Sequence, residues 1–131
     1  MGNRHRDWLR QSEADLSAAG DSIASAHYEW ACFLAQQSAE KAVKALYAKR
    51  GAEAWGHTIT PLLGGIAENS AVSEELIDCA KILDKHYIPT RYPNGLDSGA
   101  PADFYTLQEA ETACGCARKI FDFCARAIRG S

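Results

Sequence analysis

Residues 30–46 read WACFLAQQSAEKAVKAL, a segment with the periodicity of a helix buried at the centre of a domain. Small and apolar side chains recur at steps of three and four residues, which places them on one helix face. They are Ala31, Leu34, Ala35, Ser38, Ala39, Ala42, Ala45 and Leu46. The pattern predicts a helix over residues 28–50, ended by Gly51. Its small side chains would let a neighbouring helix approach closely.

Helices are also predicted on both sides of this central segment. An apolar stripe upstream, beginning at Leu9, predicts a first helix that ends near His27. Downstream, Thr58 or Thr60 can cap a short third helix, with Pro61 in its first turn.

Two further helices follow in the second half of the chain. Ser73 can cap the fourth, and Glu74 and Glu75 in its first turn suit the helix dipole. Thr106 and Glu109 form a capping box that opens the last helix. Between these helices, residues 88–104 contain three prolines and two glycines, so no regular element can run through them. Long loops of this kind often carry function.

The chain is therefore predicted to be all-α. We expect an antiparallel up-and-down helical bundle of four to five helices, with one long ordered loop before the last helix. Its 131 residues fit a single domain spanning residues 1–131. No stretch alternates as a strand does.

Composition excludes several broad classes of protein. With 47% hydrophobic residues the chain is not disordered, and a net charge of −3 excludes a strongly basic protein that coats nucleic acid. No segment is apolar enough to span a membrane or to serve as a secretory signal, so we expect a cytoplasmic protein that does not contact membranes.

The cysteines and histidines form no metal-binding motif. Five cysteines without a C-x-x-C pair are more typical of buried small hydrophobes than of disulfides or a metal site. The four histidines are scattered along the chain. We therefore expect neither a metal nor a cofactor.

Arg91 is the first candidate for a functional side chain, because it lies in the loop segment YIPTRYPN, residues 87–94. A guanidinium is a rigid fork of donors that suits phosphate, and the neighbouring Tyr92 could stack on a base or on the guanidinium. The alternative interpretation is structural, with Arg91 capping carbonyl groups or pairing with an acid.

Lys41, Lys44 and Gln37 are the second set of candidates, since they share one face of the central helix. Lysines at the wall of a cleft could bind an anion. Alternatively, they reach solvent, or Lys44 pairs with Glu40 four residues earlier.

Taken together, these residues resemble the HEPN domain family. The resemblance rests on the QQ-x-x-EK-x-x-K pattern of residues 36–44, the RYP segment of residues 91–93, Trp8, and His57 downstream, and it extends along nearly the whole chain. It implies a dimerising helical bundle that binds nucleotide or RNA. It also implies pairing with a minimal nucleotidyltransferase in a toxin–antitoxin-like system.

Active members of the family are metal-independent ribonucleases with an Arg followed, after four to six residues, by a His. Here Leu96, Asp97 and Ser98 occupy the positions expected for that His after Arg91. Arg50 and His57 have the right spacing, but they flank a different linker, and we interpret this match as a coincidence.

Three hypotheses remain open at this stage. In the first, the chain is a partner of a nucleotidyltransferase and a binding module for nucleotide or RNA phosphate. The binding residues would be Arg91, Tyr92, Lys41, Lys44 and Gln37. Alternatively, it is a ribonuclease toxin with Arg91 and His57 as weak catalytic candidates, or purely an interaction and dimerisation module. The binding module is favoured over an enzyme.

Overall fold

The computed structural model describes residues 4–130, which form five α-helices and two short 3-10 turns. The helices are α1 (His5–Ala24), α2 (Tyr28–Lys49), α3 (Ile59–Ala67), α4 (Glu74–Asp84) and α5 (Leu107–Arg129). No strand occurs in this part of the chain. The all-α helical fold expected from the sequence is confirmed.

Helix α2 is the centre of the molecule and packs against each of the other four α-helices. Seven of the eight residues in its predicted stripe are buried, and Leu34 is partly exposed. Other buried residues of this helix lie outside the stripe, and they are Cys32, Gln36, Glu40 and Val43. Neighbouring elements therefore cover more of the helix surface than the stripe alone.

Helices α1 and α2 form a hairpin because only residues 25–27 connect them. Helix α1 ends at Ala24, three residues before the predicted end. Ala26 then takes a positive φ of 61°, which turns the chain toward α2. The hairpin is joined in its interior by two fully buried serines, Ser12 and Ser38. Each hydroxyl donates to the other residue's carbonyl oxygen, at 2.6 and 2.7 Å.

Helix α3 begins at Ile59, and its cap differs from the predicted one. The hydroxyl of Thr58 makes no capping hydrogen bond. The carboxylate of Asp84, at the end of α4, instead accepts from the backbone N–H groups of Ile59 and Thr60 at 2.7 and 2.8 Å. A carboxylate satisfies two free donors at a helix start and also suits the helix dipole. One residue thereby ties α3 to α4.

The predicted caps of α4 and α5 are confirmed. The Ser73 hydroxyl accepts from the Leu76 N–H at 3.1 Å. Thr106 and Glu109 form the reciprocal capping box that opens α5. Between α4 and α5 the long loop is ordered by turns at Pro93–Gly95 and Pro101–Asp103. None of the helices in residues 4–130 is both long and apolar enough to cross a bilayer.

Candidate functional site

Arg91 lies among three aromatic rings at the start of the long loop. Its guanidinium carbon is 4.5 Å from the ring centroid of Phe33, 4.6 Å from that of Tyr87 and 5.2 Å from that of Tyr92. We call these four residues the arginine cage. Each ring is close enough for a cation–π contact, so the cage holds the guanidinium in a defined place without neutralising its charge.

The backbone also fixes this arginine. The Nε of Arg91 donates to the Tyr87 carbonyl oxygen at 2.9 Å, and its amide N–H donates to the Ile88 carbonyl at 3.1 Å. Thr90, 1% exposed, donates from its hydroxyl to the His86 carbonyl at 2.5 Å. The side chain of Arg91 therefore caps a carbonyl group, as the structural alternative expected. Of its three guanidinium nitrogens, only Nε takes part in this hydrogen bond.

The two terminal nitrogens of Arg91 are the unpaired part of the group. Among the described residues no carboxylate forms an ion pair with Arg91. The side chain is only partly buried, so these nitrogens form an open fork of donors.

His57 reaches the same cluster from the linker before α3. Its imidazole lies 5.4 Å, centroid to centroid, from the Tyr87 ring at an interplanar angle of 14°, which is a stacked geometry. Its Nδ1 is 3.1 Å from Oε2 of Glu40. The Gln36 side chain donates to the His57 carbonyl at 2.8 Å, so α2 holds both the ring and the backbone of this residue.

Glu40 is a buried carboxylate with two basic neighbours. Its side chain is 5% exposed and lies 3.0 Å from Nζ of Lys44 as well as beside His57. The predicted Glu40–Lys44 pair is present. Lys44 also lies 5.8 Å from the ring centroid of Trp8. Since an unpaired charge at this depth would be costly, Lys44 balances Glu40.

Lys41 is also neutralised within the chain. Its Nζ lies 2.5 Å from Oδ2 of Asp15 on α1 and 3.4 Å from Oε1 of Gln37. Gln37 in turn donates to Gln36 at 2.8 Å. Lys41 lines a cleft of about 440 Å³ between α1 and α2, whereas Lys44 and Gln37 are not among its lining residues. Arg4, Asp7, Trp8 and Gln11 complete that cleft.

The predicted site residues thus fall into two groups. Arg91 and His57 both contact Tyr87, Tyr92 joins this group through Arg91, and Lys44 joins it through Glu40. Lys41 and Gln37 belong to the neighbouring α1–α2 contact. The sequence did not indicate that Phe33 is a wall of the cage or that Glu40 contacts His57. The four-residue spacing of Phe33 from Gln37 on one helix face was the available signal for Phe33.

Exposed apolar side chains lie within and beside the arginine cage. Trp30 is 45% exposed and packs its ring edge-on against Phe33, at 5.9 Å between centroids. Tyr92 and Ile88 are 49% and 50% exposed. Rings of this kind can stack on a nucleobase or pack against another protein.

Arg50 lies apart from this cluster. Its terminal nitrogen donates to the hydroxyl of Ser70 at 3.0 Å. The spacing of Arg50 and His57 along the chain therefore corresponds to no contact seen in the structure.

None of the five cysteines forms a disulfide in the structure. Burial raises the pKa of Cys32 and of Cys124 to about 12, which favours inert thiols. Residues 4–130 contain no group of three or more metal-ligating side chains.

Comparison with known proteins gives a consistent picture. The model of the HEPN domain family matches residues 5–128. A protein of Methanocaldococcus jannaschii named "Putative toxin MJ1304" is 23% identical over 124 residues, which cover 88% of this chain and 82% of that protein.

Three crystal structures share the fold. TT1696 from Thermus thermophilus has a TM-score of 0.93 and 48% identity, and covers 96% of this chain and 99% of its own. ST0689, an archaeal HEPN homologue, has a TM-score of 0.83 and 39% identity, over 97% and 99% of the two chains. The HEPN domain protein TM0613 from Thermotoga maritima has a TM-score of 0.75 and 37% identity, over 92% and 95%.

Proposed function

The chain belongs to the HEPN domain family, and we propose that its arginine cage binds the phosphate group of a nucleotide or of RNA. The observation that carries this proposal is the guanidinium of Arg91, which is held by three rings and one carbonyl and is not paired with a described carboxylate. An arginine arranged in this way is preorganised, so little side-chain freedom is lost when an anion binds.

Phosphate fits the open part of this group. The Nε of Arg91 is occupied by the Tyr87 carbonyl, which leaves the terminal nitrogens to make two parallel hydrogen bonds to phosphate oxygens. The exposed rings of Tyr92 and Trp30 lie on the rim of the cage, where a base could stack. Lys41 and Lys44 contribute less than a free lysine would, because each already pairs with a carboxylate.

A binding experiment tests this proposal. Fluorescence anisotropy with a labelled single-stranded RNA should show at least a tenfold weaker affinity for Arg91→Ala, and a smaller loss for Arg91→Lys, which keeps the charge without the fork. Arg50→Ala is the matched control, because Arg50 is exposed and bonds only to Ser70 among the described side chains.

The salt dependence gives an independent check. If one free cation contacts the RNA, the logarithm of the association constant plotted against the logarithm of the salt concentration should have a slope of about −0.7. This is the value expected for one phosphate contact in single-stranded nucleic acid. Unchanged RNA affinity of folded Arg91→Ala would overturn the proposal.

We also propose that the protein acts in a toxin–antitoxin-like pair, as a homodimer and as partner of a minimal nucleotidyltransferase. The name of the M. jannaschii relative supports a connection with toxins. The exposed side chains of Trp30, Ile88 and Phe104 offer apolar area for a protein interface.

Coexpression tests the pairing. The protein is produced together with a nucleotidyltransferase encoded beside its gene, and size-exclusion chromatography with light scattering should show a complex heavier than the homodimer. Separate elution of the two proteins would contradict the pairing.

A metal-independent ribonuclease is the second candidate function, because His57 and Arg91 contact the same Tyr87 ring. Glu40 engages Nδ1 of His57, and the histidine side chain is 62% exposed, so Nε2 is the nitrogen available as a base. In this reaction Nε2 takes the proton of a ribose 2′-hydroxyl, and the resulting oxygen attacks the adjacent phosphorus. The bond to the 5′-oxygen breaks, and that oxygen takes a proton from water, leaving a 2′,3′-cyclic phosphate.

Two variants separate this activity from simple binding. His57→Ala should abolish RNA cleavage in EDTA while RNA affinity stays within about twofold of the parent, since Arg91 is untouched. Glu40→Gln should slow cleavage without weakening RNA binding, and RNA affinity should rise if anything, because the variant releases Lys44 from its carboxylate partner. Intact RNA after long incubation with concentrated wild-type protein would exclude the ribonuclease and leave the binding function standing.

A further inference from the structure

A groove between α1 and α5 carries a concentration of positive charge away from the arginine cage. Arg6 and Arg10 stand on the α1 side and Arg129 on the α5 side, and all three are exposed. None of them forms an ion pair with a described carboxylate. Glu13 is the one acid among the residues that line this groove. Such a local excess of arginine contrasts with the net charge of −3 for the whole chain.

The floor of the groove is apolar. Leu9, Phe121 and Ala125 form it, and the last two are only 9% and 8% exposed, so they belong to the edge of the hydrophobic core. The volume of the groove is about 420 Å³, which has room for a few side chains. No residue of the groove belongs to the arginine cage or to the cleft beside Lys41.

We propose that this groove binds an acidic amphipathic helix of a protein partner. Apolar side chains of that helix lie on the floor, and its carboxylates pair with Arg6, Arg10 and Arg129. The site goes beyond the proposed function, since it needs neither nucleotide binding nor the Tyr87 cluster.

Spacing and charge both support this occupant. Arg6 and Arg10 are four residues apart on α1, which separates them by about 6 Å along the helix axis. Two glutamates four residues apart on a partner helix have the same separation, so each can meet one arginine. Arg129 faces them from the other wall of the groove. Arginine forks bind carboxylates in a bidentate manner, which sets direction as well as attraction.

The apolar floor favours a protein over RNA. Phe121 is too buried to offer a ring face on which a base could stack, and its own ring already has the Arg118 guanidinium 5.6 Å from the centroid. Leu9 and Ala125 have no side-chain donor or acceptor for a base edge. An RNA strand would satisfy the arginines but would leave the floor uncovered, whereas leucines of an amphipathic helix would cover it.

The test uses a synthetic, fluorescein-labelled amphipathic helical peptide with leucines on one face and glutamates flanking them. Full-length protein should bind it, and the double charge reversal Arg10→Glu/Arg129→Glu should weaken binding at least tenfold. The same peptide with lysine in place of glutamate should prefer the reversed variant. Arg126→Glu is the matched control, because Arg126 is exposed on α5 and lines a different groove.

Several results would overturn this inference. Failure of the acidic peptide to bind at millimolar protein would do so, and so would an equal loss of binding in Arg126→Glu. If the double reversal abolished RNA binding and left peptide binding unchanged, the groove would belong to RNA. The Arg91→Ala variant should bind the peptide normally, so failure of the phosphate site and failure of this groove are distinguished. Circular dichroism of each variant checks that it is folded.

Discussion

The imidazole of His57 lies almost parallel to the phenol ring of Tyr87, with ring centroids 5.4 Å apart. Thirty residues of sequence separate the two side chains, and Arg91 contacts the same phenol ring. Tyr87 therefore contacts both groups that the ribonuclease hypothesis requires. It holds the Arg91 side chain through its ring and through its carbonyl oxygen.

Replacing Tyr87 by leucine should weaken RNA binding about two- to fivefold, because a cation–π contact at a partly exposed site contributes roughly 0.5–1 kcal/mol. Arg91 would keep its backbone hydrogen bond and lose one wall of the cage. Fluorescence anisotropy with labelled RNA measures the effect. Tyr87→Phe is the control that keeps the ring, and it should bind like the parent. Equal losses in the two variants would show that the hydroxyl, not the ring, is responsible.

Asp84→Ala should lower the free energy of unfolding by about 2 kcal/mol, because it leaves two backbone donors at the start of α3 without a charged acceptor. Urea denaturation followed by circular dichroism measures this change. Asp78→Ala on the same helix is exposed and should change stability by less than about 0.5 kcal/mol. If both variants lost the same stability, the cap would not be the cause.

The sequence predicted most helices because their signals are local. Apolar spacing within α2 and the capping pairs of α4 and α5 depend on residues at most a few positions apart. The cap of α3 by Asp84 and the contact of Glu40 with His57 join residues 24–25 and 17 positions apart, so no local pattern indicates them. For the same reason, the sequence points to Arg91 and to His57 as separate candidates. It does not indicate that both side chains contact Tyr87.

The ion-pair partners of the two lysines could also be predicted only where they are close in sequence. Lys41 and Lys44 share a face with Gln37, and the sequence leaves anion binding open there beside internal pairing or exposure to solvent. Tertiary packing brings Asp15 of α1 against Lys41, which neutralises it. Only Glu40, on the same helix as Lys44, was close enough in sequence for its pairing to be considered in advance.

Ser12→Ala and Ser38→Ala should each cost about 1–2 kcal/mol of stability, since each removes a fully buried hydroxyl that donates across the α1–α2 hairpin. The double variant should cost less than the sum of the single ones, because the two hydroxyls lie 3.2 Å apart and share partners. Guanidinium denaturation of all four proteins gives this coupling energy. Ser17→Ala, on the exposed side of α1, is the control, and additive single effects would contradict the coupling.

Acidification should destabilise the protein through His86. Burial lowers the pKa of this histidine below its ordinary value of 6.5; Lys85 lowers it further, and Glu109 opposes the shift in part. Its Nδ1 is buried without a hydrogen-bond partner among the described residues, and its ring packs edge-on against Tyr105 at 5.6 Å. The folded protein therefore binds this proton more weakly than the unfolded chain does. The stability contributed by neutral His86 is fully present above pH 6.5 and falls as the pH drops from there through the lowered pKa.

Urea denaturation between pH 7.5 and about 5 tests this dependence. The free energy of unfolding should decline less steeply for His86→Gln than for the parent, before carboxylates begin to titrate. His27→Gln, at an exposed position, should follow the parent, and a decline equally steep in His86→Gln would assign the pH dependence to other groups.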